Sequence, residues 1–387
     1  MTSFGVRGQA ERVDDVLCRH APRVGCWETE GKDMKIVIVG GGIIGAALAR
    51  SLVSSGADVT LIEVGGGATL ASFGWVNASF FLNPDHFALR AEGIAAWKRL
   101  GGAVTWTGCL SWEEEGAAFD AQRDQLRDLG YDVAEVNATQ FAALEPAIAP
   151  PERALHFVQE GVAAPVLTTQ DLLQGVRRIG GVAVTGLGTD GATITGVHTD
   201  QGMIPAHRVI VAAGIGSPAL LNSVGVALPM LQRPGVMMRT APVPQVMRHV
   251  LVSPGQELRQ DAVGHIWAPT AASHQRDDAT EVTTRPDLLA ETALNRVQTL
   301  VPDQPLVWDH VMLANRPVPK DGLPVFGACG PDGLFVAVMH SGVTLAAITA
   351  ELLAPQVLGH TLSNAQATLA APFAVERFQS EGAKNRK

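Results

Sequence analysis

A glycine-rich stretch near the beginning of the chain limits its possible folds more than any other segment does. A short run of β-branched residues opens the segment 35–63, and the pattern GxGxxG falls on Gly40, Gly42 and Gly45. An Ala/Leu-rich helical run follows, and then a second strand pattern that ends at Glu63. This order of strand, tight turn, helix and strand predicts a βαβ unit of the dinucleotide-binding type.

Each residue of the pattern has a physical task in such a unit. Gly40 permits the sharp turn from strand to helix, Gly42 lets the backbone approach a pyrophosphate, and Gly45 lets the helix pack closely on the strand. The helix begins near Ile43 and presents free amide groups and the positive end of its dipole to phosphate oxygens. Glu63 can accept hydrogen bonds from ribose hydroxyls. A βαβ unit with a purely structural role is the alternative interpretation.

A second GxGxxG pattern falls on Gly186, Gly188 and Gly191. It runs into residues 192–197, which alternate between apolar and polar like a strand. No helix N-terminus follows it, so we interpret this copy as a hairpin turn.

Length, composition and charge narrow the class of protein. The chain has 387 residues, 47% of them hydrophobic, which is enough for two domains or for one large α/β unit with an insertion. Its net charge is -9, with 38 acidic against 29 basic side chains. A nucleic-acid-binding protein usually shows a basic excess, so we expect no nucleic-acid partner.

The four cysteines (Cys18, Cys26, Cys109 and Cys329) show neither CxxC nor His-linked metal spacing. We therefore predict no metal site, and a disulfide framework is not expected in so long a chain. A reducing compartment follows, and we predict a cytoplasmic location.

The apolar segments and the N-terminal region do not indicate a membrane protein. The stretch Ile36–Ala49 is too short to span a bilayer, and Leu334–Ala354 is interrupted by polar residues that include His340 and Glu351. Residues 1–33 contain no apolar core of a secretory signal. We expect them to form a disordered extension, and a translation start at Met34 is the alternative.

Motifs in the second half of the chain indicate whether the bound dinucleotide is FAD or NAD. The apolar strand His207–Ala213 ends at Gly214, and the segment Asn315–Gly327 contains the run Asp-Gly-Leu-Pro. The strand Gly333–Val338 then leads into a helix over Leu345–Leu353. With these residues the chain resembles the D-amino-acid oxidase family of FAD-dependent oxidoreductases, which includes glycine oxidase, sarcosine oxidase and D-amino-acid dehydrogenases. The resemblance extends from about Lys35 to about Leu358.

The resemblance implies an α/β fold, with a discontinuous Rossmann-type FAD-binding domain and an inserted α+β substrate domain. The predicted ranges are 34–80, 151–225 and 313–372 for the FAD-binding domain, 81–150 and 226–312 for the substrate domain, and 373–387 for a tail. Within them the sequence predicts helices at His86–Leu100, Ala117–Leu129 and Asp287–Val301, and strands at Val182–Val184, Met230–Thr240, His249–Val252 and Gly264–Ala268.

The resemblance also implies contacts to FAD. The pyrophosphate and ribose contacts would be Gly40, Gly42, Ile43, Gly45 and Glu63. Further contacts would be Ser72 along the pyrophosphate and flavin, Val184 at the adenine, Gly214 at a strand end, and the amides of Gly342, Val343 and Thr344 at the pyrimidine edge of the flavin. Those amides would stabilise the negative charge of reduced flavin.

The chain departs from the family at three places. Val64 and Gly65–Gly67 stand where relatives often have a basic residue after the ribose acid. Ala314 occupies the region where sarcosine oxidase-like relatives carry a flavin-linking cysteine, so we predict non-covalent FAD. The single tyrosine, Tyr131, lies outside any family motif, whereas several relatives close the substrate pocket with a tyrosine hydroxyl.

Two side chains are predicted to act on the substrate. Arg316 matches the arginine that binds the substrate carboxylate in glycine oxidase-like enzymes, and an ordinary ion pair is the alternative. His340 either lines the flavin or substrate pocket or caps a turn.

Other polar side chains receive weaker assignments. The sequence favours an exposed strand position for Arg259 over one that points at the substrate. His265 and Trp267 alternate on one strand and could face the flavin, although packing is favoured for Trp267. Lys320 lies in a turn that we expect to face solvent.

The predicted function is FAD-dependent oxidation of an amino acid or secondary amine, by hydride transfer to flavin N5, with oxygen as acceptor. A dehydrogenase that passes electrons to a quinone or carrier protein is one alternative, and a non-catalytic flavin-bearing subunit is another. The partner would be a small amine or amino acid, and a homo-oligomer is left open.

Overall fold

The structure is a computed structural model, and it describes residues 34–272 and 277–378. The predicted disordered extension over residues 1–33, with Cys18 and Cys26, lies outside the described residues. Residues 379–387 of the predicted tail lie outside them as well.

A six-stranded sheet forms the first half of the molecule. Its strands, in spatial order, are Val325–Ala328, Leu334–Val338, Arg208–Val211, Lys35–Val39, Asp58–Glu63 and Arg177–Gly180. Neighbouring strands run parallel, except that the edge strand Val325–Ala328 is antiparallel to its neighbour. The central strand is buried because helices cover the sheet, which agrees with its β-branched sequence.

Two apolar helices meet beside this sheet. Helix Ile43–Ser54 follows the first strand, and it packs against helix Gly342–Val357 and helix Pro165–Leu172. Helix Gly342–Val357 has a nearly continuous buried surface, from Val343 to Val357. Because both long helices begin at the carboxyl ends of sheet strands, their N-termini lie at the same edge of the sheet.

An eight-stranded sheet forms the second half. Its strands, in spatial order, are Trp308–Asn315, Pro234–Thr240, Ile266–Pro269, Gln256–Gln260, Val250–Ser253, Cys109–Ser111, Arg153–Phe157 and Ala134–Asn137. All neighbours are antiparallel except Val250–Ser253 and Cys109–Ser111.

Smaller elements complete the fold. The remaining helices are Pro84–Leu100, Gly116–Asp128, Ala138–Leu144, Ser217–Asn222, Pro286–Leu300 and Asn364–Ala370, with 3₁₀ turns at Ala68–Ala71, Gly214–Gly216, Ala371–Phe373 and Val375–Phe378. Three small sheets comprise Val184–Asp190 with Thr193–Thr199 and Gly202–Pro205, Trp75–Val76 with Gly161–Ala163 and Val104–Thr105, and Met230–Leu231 with Val318–Pro319.

The predicted fold class is confirmed: a mixed α/β chain with a Rossmann-type sheet and a second α+β layer. The hairpin predicted for the second glycine pattern is also confirmed, because Val184–Asp190 and Thr193–Thr199 pair in an antiparallel manner around Gly191. Among the described residues, no helix is both long and apolar enough to cross a bilayer.

Two predicted strands are wrong in extent. The prediction Val182–Val184 fails because the left-handed Gly181 (φ 73°) ends the edge strand, and the next strand begins only at Val184. The run Met230–Thr240 divides, because Met230–Leu231 pairs with Val318–Pro319 whereas Pro234–Thr240 pairs with Trp308–Asn315. The sequence pattern cannot show that one apolar run serves two partner strands.

The other predicted elements differ only at their ends. The helix predicted at His86 begins at Pro84, after the N-cap Asn83. Strand Ile266–Pro269 and helix Pro286–Leu300 are shifted by one or two residues from the predicted Gly264–Ala268 and Asp287–Val301. Strand Arg153–Phe157 belongs to the eight-stranded sheet although it falls within a range assigned to the FAD-binding domain. The domain ranges as a whole stay a prediction.

Gly93 provides a test of helix packing. A Cβ at this position would lie 2.8 Å from the carbonyl oxygen of Thr344, on the neighbouring helix. In a helix interior, alanine is normally more favourable than glycine by about 1 kcal/mol of folding free energy. We expect Gly93→Ala to destabilise instead, by about 1–3 kcal/mol, because two helix backbones must separate.

The measurement is the apparent melting temperature of the purified protein. Gln125→Ala, at an exposed helical position, is the control and should leave the melting temperature nearly unchanged. A melting temperature of Gly93→Ala at or above the wild-type value would contradict the close packing.

Candidate cofactor and substrate site

A cavity of about 860 Å³ lies at the carboxyl ends of the parallel strands. It begins beside Glu63 and Val184, passes the N-termini of the two long helices, and reaches Met237 and Met312 on the eight-stranded sheet. The crevice at the carboxyl ends of such strands is where ligands bind in open α/β sheets. The volume lies within the range of about 300–1,000 Å³ for small-molecule sites.

The glycine pattern makes a close-fitting turn at this cavity. Gly40 has a φ of 116°, and a Cβ on it would lie 2.3 Å from the carbonyl oxygen of Ala212. A Cβ on Gly45 would lie 2.0 Å from the carbonyl oxygen of Gly40, so Gly45 permits the helix to pack on the turn and does not line the cavity. Gly42 lines the cavity and precedes the helix.

The helix that begins at Ile43 presents amide donors to the cavity. Its N-cap residue Gly42 offers no side-chain cap, and the first turn carries no acidic residue. The amide of Ile43 donates to Oγ1 of Thr69 at 3.1 Å. Ser72, also at the cavity, accepts from the amide of Gly74 at 3.2 Å and so shapes the loop that follows.

Glu63 lies at the end of its strand and is paired with a residue that sequence reasoning missed. Its carboxylate forms an ion pair with Arg178, on the adjacent strand Arg177–Gly180. Arg178 therefore places a guanidinium beside the acid, although Val64 and Gly65–Gly67 follow that acid along the chain. Only the parallel register of Glu63 with Gly180 could have revealed this contact.

Val184 and Gly214 also lie on the cavity wall. Val184 opens the hairpin next to Glu63, and Gly214, with a φ of 55°, begins a 3₁₀ turn after the strand Arg208–Val211.

The second helix N-terminus faces the same cavity. Gly342, Val343 and Thr344 line it, and the N-cap Ser341 adopts a left-handed φ of 57° without giving a side-chain cap. The first turn carries no acidic residue. Uncapped amides and the dipole therefore favour negative charge here.

The first turn of this helix is fixed to its surroundings. Oγ1 of Thr344 donates to the carbonyl of Trp75 at 3.1 Å and accepts from the amide of Asn77 at 3.3 Å. Nε1 of Trp97 donates to the carbonyl of Val343 at 2.8 Å. The loop 75–77 is thereby held against the helix terminus.

Arg316 lies in the cavity wall and is already engaged. Its Nη2 pairs with Oδ2 of Asp277 at 2.7 Å, and its Nε donates to the carbonyl of Arg233 at 3.2 Å. Burial lowers the pKa of Arg316, and Asp277 opposes that shift. Arg316 thus lines the cavity and forms an ion pair, and its role as a substrate anchor stays a prediction.

His340 lines the cavity between the strand Leu334–Val338 and helix Gly342–Val357. Its Nδ1 lies 3.4 Å from Oγ of Ser341.

The expected exposure of Arg259 is wrong. Its side chain is 4% exposed, because strand Gln256–Gln260 lies inside the eight-stranded sheet and is covered by the loop around Phe73. Its Nε donates to the carbonyl of Phe73, and its guanidinium lies over the rings of Phe73 and Trp267. Burial lowers the pKa of Arg259 to about 10. It does not line the cavity, although Phe73 does.

The remaining candidates lie away from the cavity. Nδ1 of His265 contacts the carbonyl of Thr240 at 2.8 Å, and Nε1 of Trp267 donates to Asp261 at 2.8 Å. Lys320 is exposed. None of these three lines the cavity. Tyr131 is buried, and its hydroxyl donates to Glu160 at 2.8 Å.

The described residues hold no cluster of three or more His, Cys, Asp or Glu side chains suited to a metal. Cys109 and Cys329 are free and buried, and burial raises the pKa of both thiols. No cysteine lines the cavity within the described part of the chain.

This arrangement defines a dinucleotide-binding protein whose cofactor cavity is joined to a second, sheet-lined space. The cavity wall suits a dinucleotide such as FAD: it has glycines where a Cβ would collide, two helix N-termini whose N-cap side chains form no cap, and a carboxylate, Glu63, at the end of the second strand. Residues 35–356 match the model of the FAD dependent oxidoreductase family DAO. The chain belongs to this family, and the predicted enzyme class, an FAD-dependent oxidoreductase, is confirmed.

Two sequence relatives and one solved structure agree with the family. The chain is 25% identical to a glycine oxidase of Pseudomonas aeruginosa over 353 residues, which cover 84% of this chain and 95% of the relative. It is 28% identical to a D-amino acid dehydrogenase of Rhizobium rhizogenes over 188 residues, 48% of this chain and 45% of the relative. The crystal structure of glycine oxidase from Geobacillus kaustophilus superposes with a TM-score of 0.76 at 21% identity, over 88% of this chain and 98% of that one.

The glycine turn generates a test with a matched control. We expect Gly40→Ala to weaken FAD binding by at least about tenfold, because its Cβ cannot coexist with the carbonyl of Ala212 and the turn must open. Gly56→Ala has the same strain of a positive φ (84°), but its Cβ would meet open space.

The dissociation constant of FAD is measured by titrating apoprotein and following flavin fluorescence. Gly56→Ala should keep the wild-type constant even if its melting temperature falls. Equal FAD affinity in Gly40→Ala and wild type would contradict the assigned turn.

Proposed function

We propose that the protein oxidises an amino acid or a secondary amine with bound FAD. The observation that carries this proposal is a single cavity that joins the dinucleotide turn to a half-buried arginine, Arg316, in the wall beside the eight-stranded sheet. A guanidinium at that place suits the carboxylate of an amino acid.

The residues that would hold FAD follow from the cavity. Gly42, Ile43 and the first helix terminus would bind the pyrophosphate, and Glu63, oriented by Arg178, would bind the ribose. Val184 would contact the adenine. Gly342 and Val343 would offer amides to the flavin. Because Ala314 replaces a linking cysteine and no described cysteine lines the cavity, the cofactor would be held without a covalent bond.

Bound FAD would accept two electrons and a proton from the substrate carbon as a hydride at N5. The residues of this chain orient the amine and exclude water. Arg316 would hold the carboxylate, and the apolar walls Val236, Met237 and Met312 would cover the substrate's Cα. Loss of hydride from Cα and of a proton from nitrogen gives an imine, and water converts the imine to a carbonyl compound and ammonia or an amine.

We propose oxygen as the electron acceptor, with a quinone or carrier protein as the alternative. The match to the glycine oxidase covers 95% of that relative, whereas the match to the D-amino acid dehydrogenase covers 45%. That difference in coverage supports the oxidase.

Anaerobic mixing of the FAD-loaded protein with a panel of D- and L-amino acids and N-methyl amino acids tests the reaction. The flavin absorbance should bleach with one chemical group of the panel and return when air is admitted. Bleaching without recovery in air would favour the dehydrogenase alternative. A flavin that no amine bleaches would contradict the proposed function.

The ion pair at Arg316 generates a second test. Arg316→Gln should raise the substrate dissociation constant by roughly 10–100-fold, because a charged hydrogen bond is worth about 1.5–3 kcal/mol. Asp277→Asn should lower it, because the substrate carboxylate then no longer competes with Asp277. The constants are obtained from the dependence of the bleaching rate on substrate concentration.

Arg239→Gln is the matched control, since Arg239 forms a comparable ion pair, with Asp309, but does not line the cavity. The substrate dissociation constant of Arg239→Gln should equal the wild-type value. Opposite effects of Arg316→Gln and Asp277→Asn would support the anchor, and an unchanged constant in Arg316→Gln would contradict it.

A further inference from the structure

Arg90 is a buried cation at the cavity to which the proposed reaction gives no role. It lies on helix Pro84–Leu100, is 3% exposed, and lines the cavity. Its Nε donates to the carbonyl oxygen of Asn77 at 3.1 Å, and its Nη2 donates to Oδ1 of Asn77. Both acceptors are neutral. Within residues 34–272 and 277–378, Arg90 forms no ion pair with a carboxylate.

Arg90 is charged at neutral pH. Burial lowers its pKa to about 10, and the charge of Glu160 opposes that shift. His86, one turn earlier on the same helix, is neutral, because burial and the nearby Arg90 lower its pKa to about 3. A buried charge is costly unless an opposite charge or several dipoles compensate it. One amide side chain and one carbonyl contact the guanidinium, and the charge of Glu160 compensates it without a hydrogen bond to it.

The surroundings of Arg90 add a second positive feature. Asn77, its hydrogen-bond partner, also donates its amide to Oγ1 of Thr344, in the first turn of helix Gly342–Val357. The neighbouring Gly93 on the helix of Arg90 touches that same turn. An uncapped helix N-terminus and a guanidinium thus meet at one end of the cavity. The positive end of the helix dipole and the guanidinium repel each other, and an anion between them would stabilise both.

We propose that Arg90, beside the first turn of helix Gly342–Val357, adds a cation that helps to hold the negative charge that reduction leaves on the flavin ring of FAD. This inference rests on the proposed function. Charge beside the N1 edge is one of the means by which a protein tunes flavin chemistry, and a preorganised cation there favours the electron-accepting step.

The position of Arg90 favours the flavin over the substrate carboxylate. Arg316, the proposed carboxylate anchor, is held by Arg233 and Asp277 beside the eight-stranded sheet. Arg90 is instead held through Asn77 to the helix terminus. The two guanidinium groups therefore belong to two separate parts of the cavity wall.

Glu160 supplies an opposite charge, so the inference can be tested in both directions. It is fully buried and accepts from Nε1 of Trp75, the amides of Ala78 and Ser79, and the hydroxyl of Tyr131. Burial raises the pKa of Glu160, and the hydrogen bonds from Tyr131, Ser79 and Ala78 oppose that rise. Three of the donors converge on one oxygen, as suits an ionised carboxylate. Its charge acts against the effect of Arg90 on the same loop.

Sulfite titration of the FAD-loaded protein measures the effect directly. Sulfite adds to flavin N5 and leaves a negative charge on the ring, so its dissociation constant reports how well that charge is stabilised. Arg90→Met should raise this constant by about tenfold or more, which corresponds to the loss of one charged hydrogen bond. Arg90→Lys, which keeps the charge, should lie much closer to wild type.

Glu160→Gln should lower the sulfite constant by several-fold, the opposite direction. Simple damage to the loop 75–79 would weaken sulfite binding in all three variants, so opposite signs separate charge from damage. If Arg90→Met does not fold, Arg90→Lys and Glu160→Gln still decide the question, since a Glu160→Gln constant equal to or above wild type would contradict the inference.

Binding of benzoate, followed by its perturbation of the flavin spectrum, identifies the other outcomes. If Arg90→Met leaves the sulfite constant unchanged but binds benzoate at least tenfold more weakly, Arg90 binds the carboxylate of the ligand. That result would overturn the inference. Two unchanged constants would make Arg90 a structural contact and would overturn the inference too. A wild-type protein without FAD, established before any variant is made, would overturn the proposed function as well.

Discussion

Two helix N-termini, neither of which is capped by the side chain of its N-cap residue, open into one cavity, and the site is built around them. Helices Ile43–Ser54 and Gly342–Val357 begin at the carboxyl ends of parallel strands and leave amide donors and positive dipoles at one edge of the sheet. Buried donors of this kind need an acceptor. The glycines at the first terminus and the loop 72–77 between the two leave room for a long anionic ligand. The position of this cavity is thus a consequence of how the sheet is connected.

The three arginines at or beside the cavity differ in whether a carboxylate pairs with them. Arg178 is paired with Glu63, and Arg316 is paired with Asp277. Among the described residues, Arg90 donates its hydrogen bonds to Asn77 and is not in an ion pair. In the proposed function, Arg178 would orient Glu63, Arg316 would bind the substrate carboxylate, and Arg90 would stabilise the reduced cofactor.

Local signals are enough to predict the dinucleotide unit, because Gly40, Gly42 and Gly45 determine a backbone conformation within a few residues. They also predict the helix near residue 342 and the family. The residues that sequence reasoning missed act through contacts between distant segments. Arg178 reaches Glu63 across a strand register, and Arg90 reaches a helix near the other end of the chain through Asn77. The burial of Arg259 depends on the order of strands in the eight-stranded sheet, and no local pattern encodes that order.

The identity and amount of cofactor in the purified protein test the FAD site most simply. Heat-released ligand should be FAD, separable by chromatography and close to one molecule per chain, with none left attached to the precipitated protein. A chain that binds no flavin after incubation with excess FAD, or that binds a nicotinamide dinucleotide in its place, would contradict the assigned site and the chemistry proposed for it.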